Sequence, residues 1–284
     1  MIKGKTNDLE HMDAKFFKKL GRRISSLGMG TWGIGGGFWH ADDSGDEESI
    51  RAMRRGIELG INVIDTAEMY GAGHAEELVK ESIAGLEREE LFIVTKVWQT
   101  HAKYEDVIKS ARASARRLGT YIDLYLLHWP STEVPICETM KAMESIVVDG
   151  IARNIGVSNF DLDSLKQARA CLSKTDISAV QNKFNLLNRE DEKTIIPYAE
   201  REGMLYIAYT PIAKGALTDN SFLTSIGAKY GKSAVQIALN WLICINSVIP
   251  IPRASKLTHM EENAGAMGWR LRQDDWDAIS REFR

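Results

Sequence analysis

Short apolar runs alternate with longer amphipathic segments along most of this chain. The short runs are rich in β-branched residues, and some, such as LFIVTKV at 91–97, are apolar almost throughout. This pattern is typical of strands that are buried on both faces of a parallel sheet. Eight such runs predict strands, over 27–31, 62–66, 91–96, 123–128, 151–157, 178–181, 205–209 and 247–251.

The segments between the runs place apolar residues at helical spacing. In the first of them, Ile50, Met53 and Ile57 recur at the interval that lines one face of a helix. The same pattern predicts seven helices, over 47–59, 74–84, 104–118, 138–148, 162–170, 191–202 and 233–245.

Residues at the predicted helix ends agree with these boundaries. Asp161 and Ser233 precede helical segments, and their side chains are suited to be N-caps. Gly60, Gly119 and Gly203 stand where helix C-caps are expected, because glycine adopts the left-handed conformation that ends many helices.

Eight predicted strands that alternate with helices through short connections predict an α/β architecture. The 284 residues suit one (β/α)8 TIM barrel, which typically takes about 250 residues. No Gly/Pro/Ser-rich linker divides the chain, so we expect a single domain over 1–284. Before the first strand, segments 16–20 and 22–25 around Gly21 predict a short N-terminal β-hairpin, and residues 1–12 predict a loose tail.

A doubly wound sheet is the main structural alternative. The segment from Gly28 to Gly33, GMGTWG, fits the dinucleotide fingerprint G-x-G-x-x-G. The fingerprint requires a helix directly after it, but three successive glycines follow at 35–37 and favour a flexible loop. We therefore reject a Rossmann-type interpretation of this motif.

Composition and charge exclude several classes of protein. Hydrophobic residues make up 44% and charged residues 26% of the chain, and the net charge is −3. This balance gives no general attraction to nucleic acid or anionic lipid. No apolar run approaches the roughly 18 residues that a membrane helix needs, and the N-terminus lacks the apolar stretch of a signal peptide. We expect a cytoplasmic monomer or weak homo-oligomer with neither nucleic-acid nor membrane partners.

Cysteines and histidines give no support for a metal site. Cys137, Cys171 and Cys244 are far apart in sequence, and an odd count argues against a disulfide framework. They are interpreted as ordinary packing or surface residues. The six histidines show no H-E-x-x-H pattern, so no metal is expected.

Four proton-handling side chains lie at or just after the ends of three predicted strands. Asp65 ends the second strand with Tyr70 five residues later, Lys96 closes the third, and His128 closes the fourth. In a parallel barrel all strands end at one rim, which is where barrel enzymes place their active sites. Each residue also has a structural alternative, as a helix N-cap, a packing tyrosine or a core histidine. A lysine that closes an apolar strand is harder to explain without a partner.

Together, these four side chains are suited to protonate an oxygen on which negative charge develops. The Lys96 ammonium is expected to lower the pKa of the Tyr70 phenol. Asp65 would keep that ammonium charged, and His128 would hold a carbonyl oxygen by a hydrogen bond. Reduction of C=O by hydride requires such a set. Because protein side chains do not supply hydride, a nicotinamide cofactor is implied.

Five motifs in order, DTAEMYG, VTKVW, LLHWP, GVSNF and IPIPRASKLTHMEEN, resemble the aldo-keto reductase superfamily, in particular its short-loop microbial members. The resemblance covers about residues 27–263. It implies a (β/α)8 barrel that uses NAD(P)H without a Rossmann fold. It also places the catalytic tetrad on Asp65, Tyr70, Lys96 and His128, with Tyr70 as the general acid.

The loops after the last two strands contain a candidate phosphate site. Lys214 and Gly215 follow the seventh strand, and Arg253 and Lys256 follow the eighth. Thr258-x-x-Glu261 fits a capping box for the next helix. Barrels often bind phosphate at these loops and at a nearby helix N-terminus. Solvated surface charge is the alternative interpretation of the basic residues.

The resemblance assigns roles within the cofactor site. It implies that Ser158, Asn159 and Gln181 bind the carboxamide, that Tyr209 stacks on the nicotinamide, and that Ile212 and Gly215 lie near the pyrophosphate. Glu262 and Asn263 would face the adenine, and Arg253 the 2′-phosphate. His259 replaces a frequent arginine, so NADH stays possible, but Arg253 favours NADPH because it can bind phosphate bidentately. The complete expected set is Thr31, Trp32, Asp65, Ser158, Asn159, Gln181, Tyr209, Thr210, Pro211, Ile212, Lys214, Gly215, Arg253, His259, Glu262 and Asn263.

Aromatic residues predict the substrate site. Trp32, Trp98 and Trp129 each follow a strand end and should surround a small-molecule carbonyl substrate together with His128. Phe38 and Trp39 in the glycine-rich segment 33–41 are further candidates. Two loops that are long in mammalian relatives are short here, which favours an open site with broad specificity.

The leading hypothesis is therefore an NADPH-dependent reductase of aldehydes or ketones. One alternative is a cofactor-binding regulatory module with little turnover, like the potassium-channel β subunits that share this fold. A second alternative is a barrel isomerase or aldolase in which Lys96 forms a Schiff base.

Overall fold

The computed structural model describes residues 13–284, in which eight parallel strands form a barrel. The neighbouring barrel strands are β3, β6, β7, β8, β9, β10, β11 and β12, in that order around the sheet. In chain order the strands are β1 (Ala14–Phe17), β2 (Arg22–Ser25), β3 (Gly28–Gly30), β4 (Gly36–Gly37), β5 (His40–Ala41), β6 (Val63–Asp65), β7 (Phe92–Val97), β8 (Ile122–Leu127), β9 (Ala152–Ser158), β10 (Ile177–Lys183), β11 (Leu205–Tyr209) and β12 (Val248–Pro250).

Helices connect the barrel strands and cover their outer faces. None of the helices within residues 13–284 is long and apolar enough to cross a membrane. The helices are α1 (Asp46–Glu58), α2 (His74–Ser82), α3 (Tyr104–Leu118), α4 (Ile136–Val148), α5 (Leu162–Ala170), α6 (Ile195–Glu202), α7 (Ser221–Ala228), α8 (Ala234–Ile243), α9 (Leu257–Ala264) and α10 (Gln273–Glu282).

The barrel closes where its first and last strands meet. Gly30 donates its backbone N–H to the carbonyl of Pro252 at 3.1 Å, just beyond the end of β12. A Cβ atom at Gly30 would lie 3.0 Å from the carbonyl oxygen of Ile251. Glycine therefore permits the close backbone approach that closes the sheet.

Two apolar layers hold the barrel together, one between the strands and the helices and one in the interior of the barrel. Inside the barrel, Val63, Phe92 and Leu205 near the strand starts form one cluster with Phe17 and Ile24. The last two come from the β1–β2 hairpin, so this hairpin covers the N-terminal end of the barrel. The opposite end, where the strands finish, is left open to carry polar side chains.

The structure confirms the predicted fold class and each predicted barrel strand, with boundaries shifted by at most two residues. The N-terminal hairpin is also confirmed, although its first strand is Ala14–Phe17 rather than 16–20. The predicted tail at 1–12 lies outside the described residues. The assignment of 1–284 to one domain stays a prediction.

Two of the predicted helix caps are confirmed and one is wrong. The Asp161 side chain accepts from the Ser164 N–H, and Ser233 forms a capping box with Gln236. The capping box at Thr258 does not form, because α9 already begins at Leu257 and places Thr258 inside its first turn. All three C-cap glycines have positive φ, at Gly60, Gly119 and Gly203.

The glycine-rich segment is not the flexible loop that its composition predicted. Residues 36–41 form a small hairpin of β4 and β5, in which Gly37 pairs with His40. The hairpin also contacts the segment after β6, because Trp39 donates its N–H to the Met69 carbonyl at 3.0 Å. Strands of two residues have no periodicity to read, and they depend on this tertiary contact.

The interpretation of the cysteines is wrong in part. Cys137 in the first turn of α4 and Cys171 at the end of α5 form a disulfide, with a Cα–Cα distance of 5.0 Å. Cys244 keeps a free thiol. The pair is 34 residues apart in sequence, and only the packing of α5 against α4 brings the two side chains together.

Replacement of Cys137 by serine should lower thermal stability under non-reducing conditions. Cross-linking a loop of about 34 residues contributes about 3–4 kcal/mol in the chain-entropy model, which corresponds to a Tm lower by roughly 5–7 °C for a chain of this size. Calorimetry of Cys137→Ser measures this change, with Cys244→Ser as the matched control. Equal Tm values for Cys137→Ser and the unmodified chain would contradict the prediction.

Candidate active site

Three strand ends bring the predicted catalytic residues to one rim of the barrel. Asp65 is the last residue of β6, Lys96 is the penultimate residue of β7, and His128 follows the last residue of β8. Because β6, β7 and β8 are parallel neighbours, these residues lie at the same edge of the sheet. Tyr70 reaches this edge from the segment after β6.

Lys96 lies at the centre of the site and is fully buried. Its Nζ donates to Asp65 Oδ2 at 2.7 Å and to the Thr66 carbonyl at 2.7 Å, and it lies 3.5 Å from Tyr70 Oη. An ammonium group has three donors, and these three oxygens account for all of them. The expectation that Lys96 needs a partner is confirmed.

Asp65 is held from both sides. Its second carboxylate oxygen accepts a hydrogen bond from Gln181 Nε2 at 2.7 Å. The Gln181 side chain reaches Asp65 across the barrel mouth from β10. Burial raises the pKa of Asp65 and lowers the pKa of Lys96, since a buried charge loses its hydration. The attraction between the two groups opposes both shifts.

Tyr70 is a buried, neutral phenol. Burial, the Asp65 charge and Tyr209 raise the pKa of Tyr70 well above its ordinary value. The expectation that Lys96 would lower this pKa is wrong. Lys96 Nζ lies 3.5 Å from the Tyr70 hydroxyl but only 2.7 Å from Asp65 Oδ2. The negative charge of Asp65 therefore offsets the positive charge of the ammonium. Tyr70 therefore keeps its phenolic proton at neutral pH.

His128 is a neutral imidazole beside Tyr70. Burial and the Lys96 ammonium hold the pKa of His128 well below its ordinary value. The His128 and Tyr70 rings are 5.7 Å apart between centroids. His128 Nδ1 is buried and finds no hydrogen-bond partner within residues 13–284, which leaves the site with an unused polar atom.

Aromatic side chains form a wall beside the rings of Tyr70 and His128. Trp32 packs edge-on against Tyr70 at 5.1 Å, and Trp98 packs edge-on against His128 at 5.2 Å. Phe38 at the tip of the β4–β5 hairpin contacts Trp32 at 4.5 Å and Trp98 at 6.5 Å. The structure thus brings two of the three predicted tryptophans to the site. Trp129 is 42% exposed and lies directly beyond His128.

Several residues expected at the nicotinamide form one hydrogen-bonded network. Tyr209 donates its hydroxyl proton to Asn159 Oδ1 at 2.7 Å. Asn159 Nδ2 donates to the His128 carbonyl at 2.9 Å and to Ser158 Oγ at 3.1 Å. Thr31 is buried at the end of β3, where its Oγ1 donates to the Asp65 carbonyl at 3.0 Å. The network joins the ends of β8, β9 and β11 around one side of the mouth.

The loop after β11 has an unusual backbone conformation. Thr210, Ala213 and Lys214 have positive φ although none is glycine, and Gly215 continues the pattern. Such strained backbone persists where the surrounding structure requires it, often at binding sites. Lys214 and Gly215 are exposed, whereas Pro211 is buried and Thr210 and Ile212 are partly buried.

The loop after β12 places Arg253 at the closure of the barrel. Arg253 is exposed, and its Nη2 donates to the Gly33 carbonyl at 3.0 Å. Lys256 follows and precedes α9, and in the described chain its side chain forms no cap bond to that helix. The first-turn N–H groups of α9 are therefore free of a side-chain cap, as an anion site requires.

The residues expected at the adenine are in different environments. His259 is exposed on α9, and Asn263 is buried. The Glu262 carboxylate accepts a hydrogen bond from Ser233 Oγ at 2.8 Å, so it is already bound to the residue before α8.

Two residues of the site were not predicted from the sequence. They are Thr66, whose carbonyl accepts a hydrogen bond from Lys96, and Glu68. Glu68 lies inside the DTAEMYG motif, and its proximity to the tetrad was the available signal.

Comparisons with known proteins agree with this fold. The model of the Aldo/keto reductase family matches residues 26–281. Methylglyoxal reductase YeaE of Escherichia coli is 36% identical over 250 residues, covering 86% of this chain and 86% of that protein. Glyoxal reductase of Bacillus subtilis is 35% identical and covers 82% of each chain.

Solved structures give the same result. The crystal structure of the thermostable aldo-keto reductase Tm1743 has a TM-score of 0.89 at 38% identity, covering 94% of this chain and 98% of that one. An aldo/keto reductase from Klebsiella pneumoniae, solved with NADP and acetate, has a TM-score of 0.87 at 32% identity, with coverage of 96% and 95%.

The chain therefore belongs to the aldo/keto reductase family, whose members are oxidoreductases acting on carbonyl groups. The predicted resemblance is confirmed, and so is the predicted class of function. The regulatory-module alternative is not favoured, since the relatives described above are reductases.

His128 should titrate well below the ordinary histidine pKa of about 6.5, because its imidazole is buried beside Lys96. Below pH 6.5 the unfolded chain would bind this proton before the folded chain does. His128 therefore makes the free energy of unfolding fall as the pH decreases from 6.5 toward the folded pKa. Proton NMR of the ring C–H signals measures the midpoint, and His128→Gln assigns the signal. A midpoint at or above 6.5 would contradict the prediction.

Proposed function

We propose that this chain reduces aldehydes and ketones with NADPH, and that Tyr70 is the general acid. The observation that carries the proposal is the buried contact series Asp65–Lys96–Tyr70 beside His128, in which Lys96 Nζ binds Asp65 at 2.7 Å and meets Tyr70 Oη at 3.5 Å. The family match supports the reaction class, but the roles of these residues are our proposal.

The bound nicotinamide would supply the hydride that reduces the carbonyl carbon. As negative charge develops on the carbonyl oxygen, Tyr70 donates its phenolic proton to that oxygen. The resulting phenolate is stabilised by the Lys96 ammonium, which Asp65 keeps in place. The raised pKa of Tyr70 keeps the proton on the phenol until that charge develops.

His128 orients the substrate in this proposal. A neutral imidazole has one N–H donor, which can bind the carbonyl oxygen without transferring a proton to it. The lowered pKa of His128 keeps the ring neutral through the physiological range. Proton donation and substrate orientation are thereby divided between two adjacent side chains.

The residues at the rim fit a dinucleotide cofactor. Ser158, Asn159 and Gln181 present amide and hydroxyl groups where a carboxamide would bind, and Tyr209 offers a half-buried ring beside them. The α9 N-terminus without a side-chain cap suits the phosphates. The remaining expected contacts are Thr31, Trp32, Asp65, Thr210, Pro211, Ile212, Lys214, Gly215, His259, Glu262 and Asn263.

Arg253 is the basis for NADPH rather than NADH. It is an exposed guanidinium four residues before the start of α9, and it can bind a 2′-phosphate bidentately. The Klebsiella pneumoniae relative was solved with NADP, which supports this preference. Small carbonyl compounds are the proposed substrates, because two relatives are named methylglyoxal and glyoxal reductase.

Replacement of Tyr70 by phenylalanine should leave NADPH binding unchanged and remove most carbonyl reduction. Loss of a general acid typically reduces the rate by about 10²–10⁴-fold. Single-turnover NADPH oxidation with methylglyoxal measures the effect, and a fluorescence titration with NADPH serves as the control for binding. Retained turnover would exclude Tyr70 as the acid.

Replacement of Arg253 by alanine should weaken NADPH binding roughly tenfold or more, since a charge-assisted bidentate contact is lost. The Kd for NADH should stay the same, because NADH has no 2′-phosphate. Fluorescence titrations with both dinucleotides measure the two constants. Arg51→Ala, an exposed arginine on α1, is the matched control. An equal loss of affinity for both dinucleotides would refute the assignment of Arg253 to the 2′-phosphate.

A further inference from the structure

Glu68 is a buried carboxylate inside the DTAEMYG motif to which the proposed reaction gives no role. Its side chain is only 5% exposed, although it lies between Asp65 and Tyr70 in sequence. Glu68 Oε1 accepts two hydrogen bonds, from the backbone N–H of Trp98 at 2.7 Å and from His101 Nδ1 at 2.9 Å. A buried carboxylate is retained only where such donors compensate for its lost hydration.

The first of these bonds fixes the loop that follows β7. Trp98 is the first residue after the strand, and the carboxylate of Glu68 anchors its backbone directly. His101 then donates its own backbone N–H to the Trp98 carbonyl at 2.9 Å, which closes a tight turn. Both peptide groups of Trp98 are thus constrained, and its ring is held edge-on against His128.

The second bond extends the constraint to the β4–β5 hairpin. The His101 ring packs edge-on against Trp39 at 5.5 Å. Trp39 has a positive φ of 48° and is bound to the Met69 carbonyl through its N–H. The backbone of its neighbour Phe38 pairs with that of Tyr70 in an antiparallel β-bridge, and the Phe38 ring contacts Trp98. One carboxylate therefore links the motif that carries Tyr70 to two of the segments that form the aromatic wall, the loop after β7 and the β4–β5 hairpin.

We propose that Glu68 is a positioning residue that sets the shape of the aromatic wall of the carbonyl pocket. It acts on Trp98 directly and on Trp39 and Phe38 through His101. The proposed occupant of this wall is an aryl aldehyde, whose ring can pack edge-on against Trp98 and Phe38. The expected change in KM rests on the proposed carbonyl reduction. The effect of Glu68 on the positions of Trp98 and Trp39 does not depend on turnover.

Replacement of Glu68 by glutamine keeps the shape of the side chain and removes its charge. The amide oxygen still accepts, but as a neutral group, so the bonds from the Trp98 N–H and from His101 Nδ1 are both weakened. We expect the KM for benzaldehyde to rise on the order of tenfold, the factor that corresponds to one charge-assisted hydrogen bond. The KM for methylglyoxal, which is too small to span the wall, should change less than about twofold, with kcat for both substrates nearly unchanged.

Glu77→Gln is the matched control. Glu77 also contacts a histidine ring, His74 Nδ1, at 3.1 Å, but it is an exposed residue on α2. The ratio of KM values for the two aldehydes should therefore stay the same in this variant. A second variant, His101→Gln, tests the outer half of the chain of contacts, because it spares the bond between Glu68 and the Trp98 backbone.

A measurement without substrate tests the same inference. The chain has seven tryptophans, and ¹⁹F NMR of the protein labelled with 5-fluorotryptophan gives one resonance for each. In Glu68→Gln the resonances of Trp98 and Trp39 should shift, whereas that of Trp241 in the core should not. In His101→Gln only the Trp39 resonance should shift strongly. Single Trp→Phe variants assign the signals.

The outcomes separate the inference from the proposed function. Unshifted Trp98 and Trp39 resonances in Glu68→Gln would overturn the inference, whatever the turnover. Equal losses of kcat for both aldehydes with an unchanged ratio of KM values would also overturn it. If the unmodified chain reduces neither aldehyde, the proposed reduction fails, while the NMR spectra still decide the role of Glu68. Should Glu68→Gln fail to fold, the ratio of KM values for the two aldehydes in His101→Gln decides the question, because that variant removes one of the two partners of Glu68; an unchanged ratio would overturn the inference.

Discussion

The ion pair between Lys96 and Asp65 is the interaction on which the site depends. Moving an ammonium and a carboxylate out of water costs several kcal/mol for each group. That cost is offset only because Lys96 finds three oxygens and Asp65 also binds Gln181. Such a pair contributes little net stability compared with apolar residues of the same volume. The pair also places a positive charge 3.5 Å from the Tyr70 hydroxyl, which is the acid in the proposed reaction.

The barrel separates stability from chemistry. At the N-terminal end of the strands, the β1–β2 hairpin contributes Phe17 and Ile24 to an apolar cluster inside the barrel. At the opposite end, bonds between distant segments hold the polar side chains. Gln181 reaches Asp65 across 116 residues of chain, and Tyr209 reaches Asn159 across 50. These bonds make the rim a single connected network, so that a rigid scaffold can orient groups that come from separate loops.

The protonation states at the rim follow from burial rather than from residue type. An exposed histidine titrates near neutral pH and an exposed tyrosine near pH 10. Here burial favours the neutral form of both His128 and Tyr70, and shifts their pKa values in opposite directions. In the proposed reaction, the neutral His128 ring donates a hydrogen bond to the substrate and keeps its proton. The Tyr70 phenol keeps its proton until negative charge develops on the carbonyl oxygen. Burial alone thus favours the neutral form of both neighbouring groups.

The sequence by itself determined the barrel and the positions of its polar strand ends. Strand and helix periodicity is local, and Asp161 and Ser233 cap helices through residues only three positions away. Tertiary structure alone decided the disulfide of Cys137 and Cys171, the hairpin at 36–41 and the bonds of Glu68. It also decided the raised pKa of Tyr70 and the absence of a cap at Thr258. These features depend on burial and on contacts between segments far apart in the chain, and neither quantity is encoded in a short window of residues.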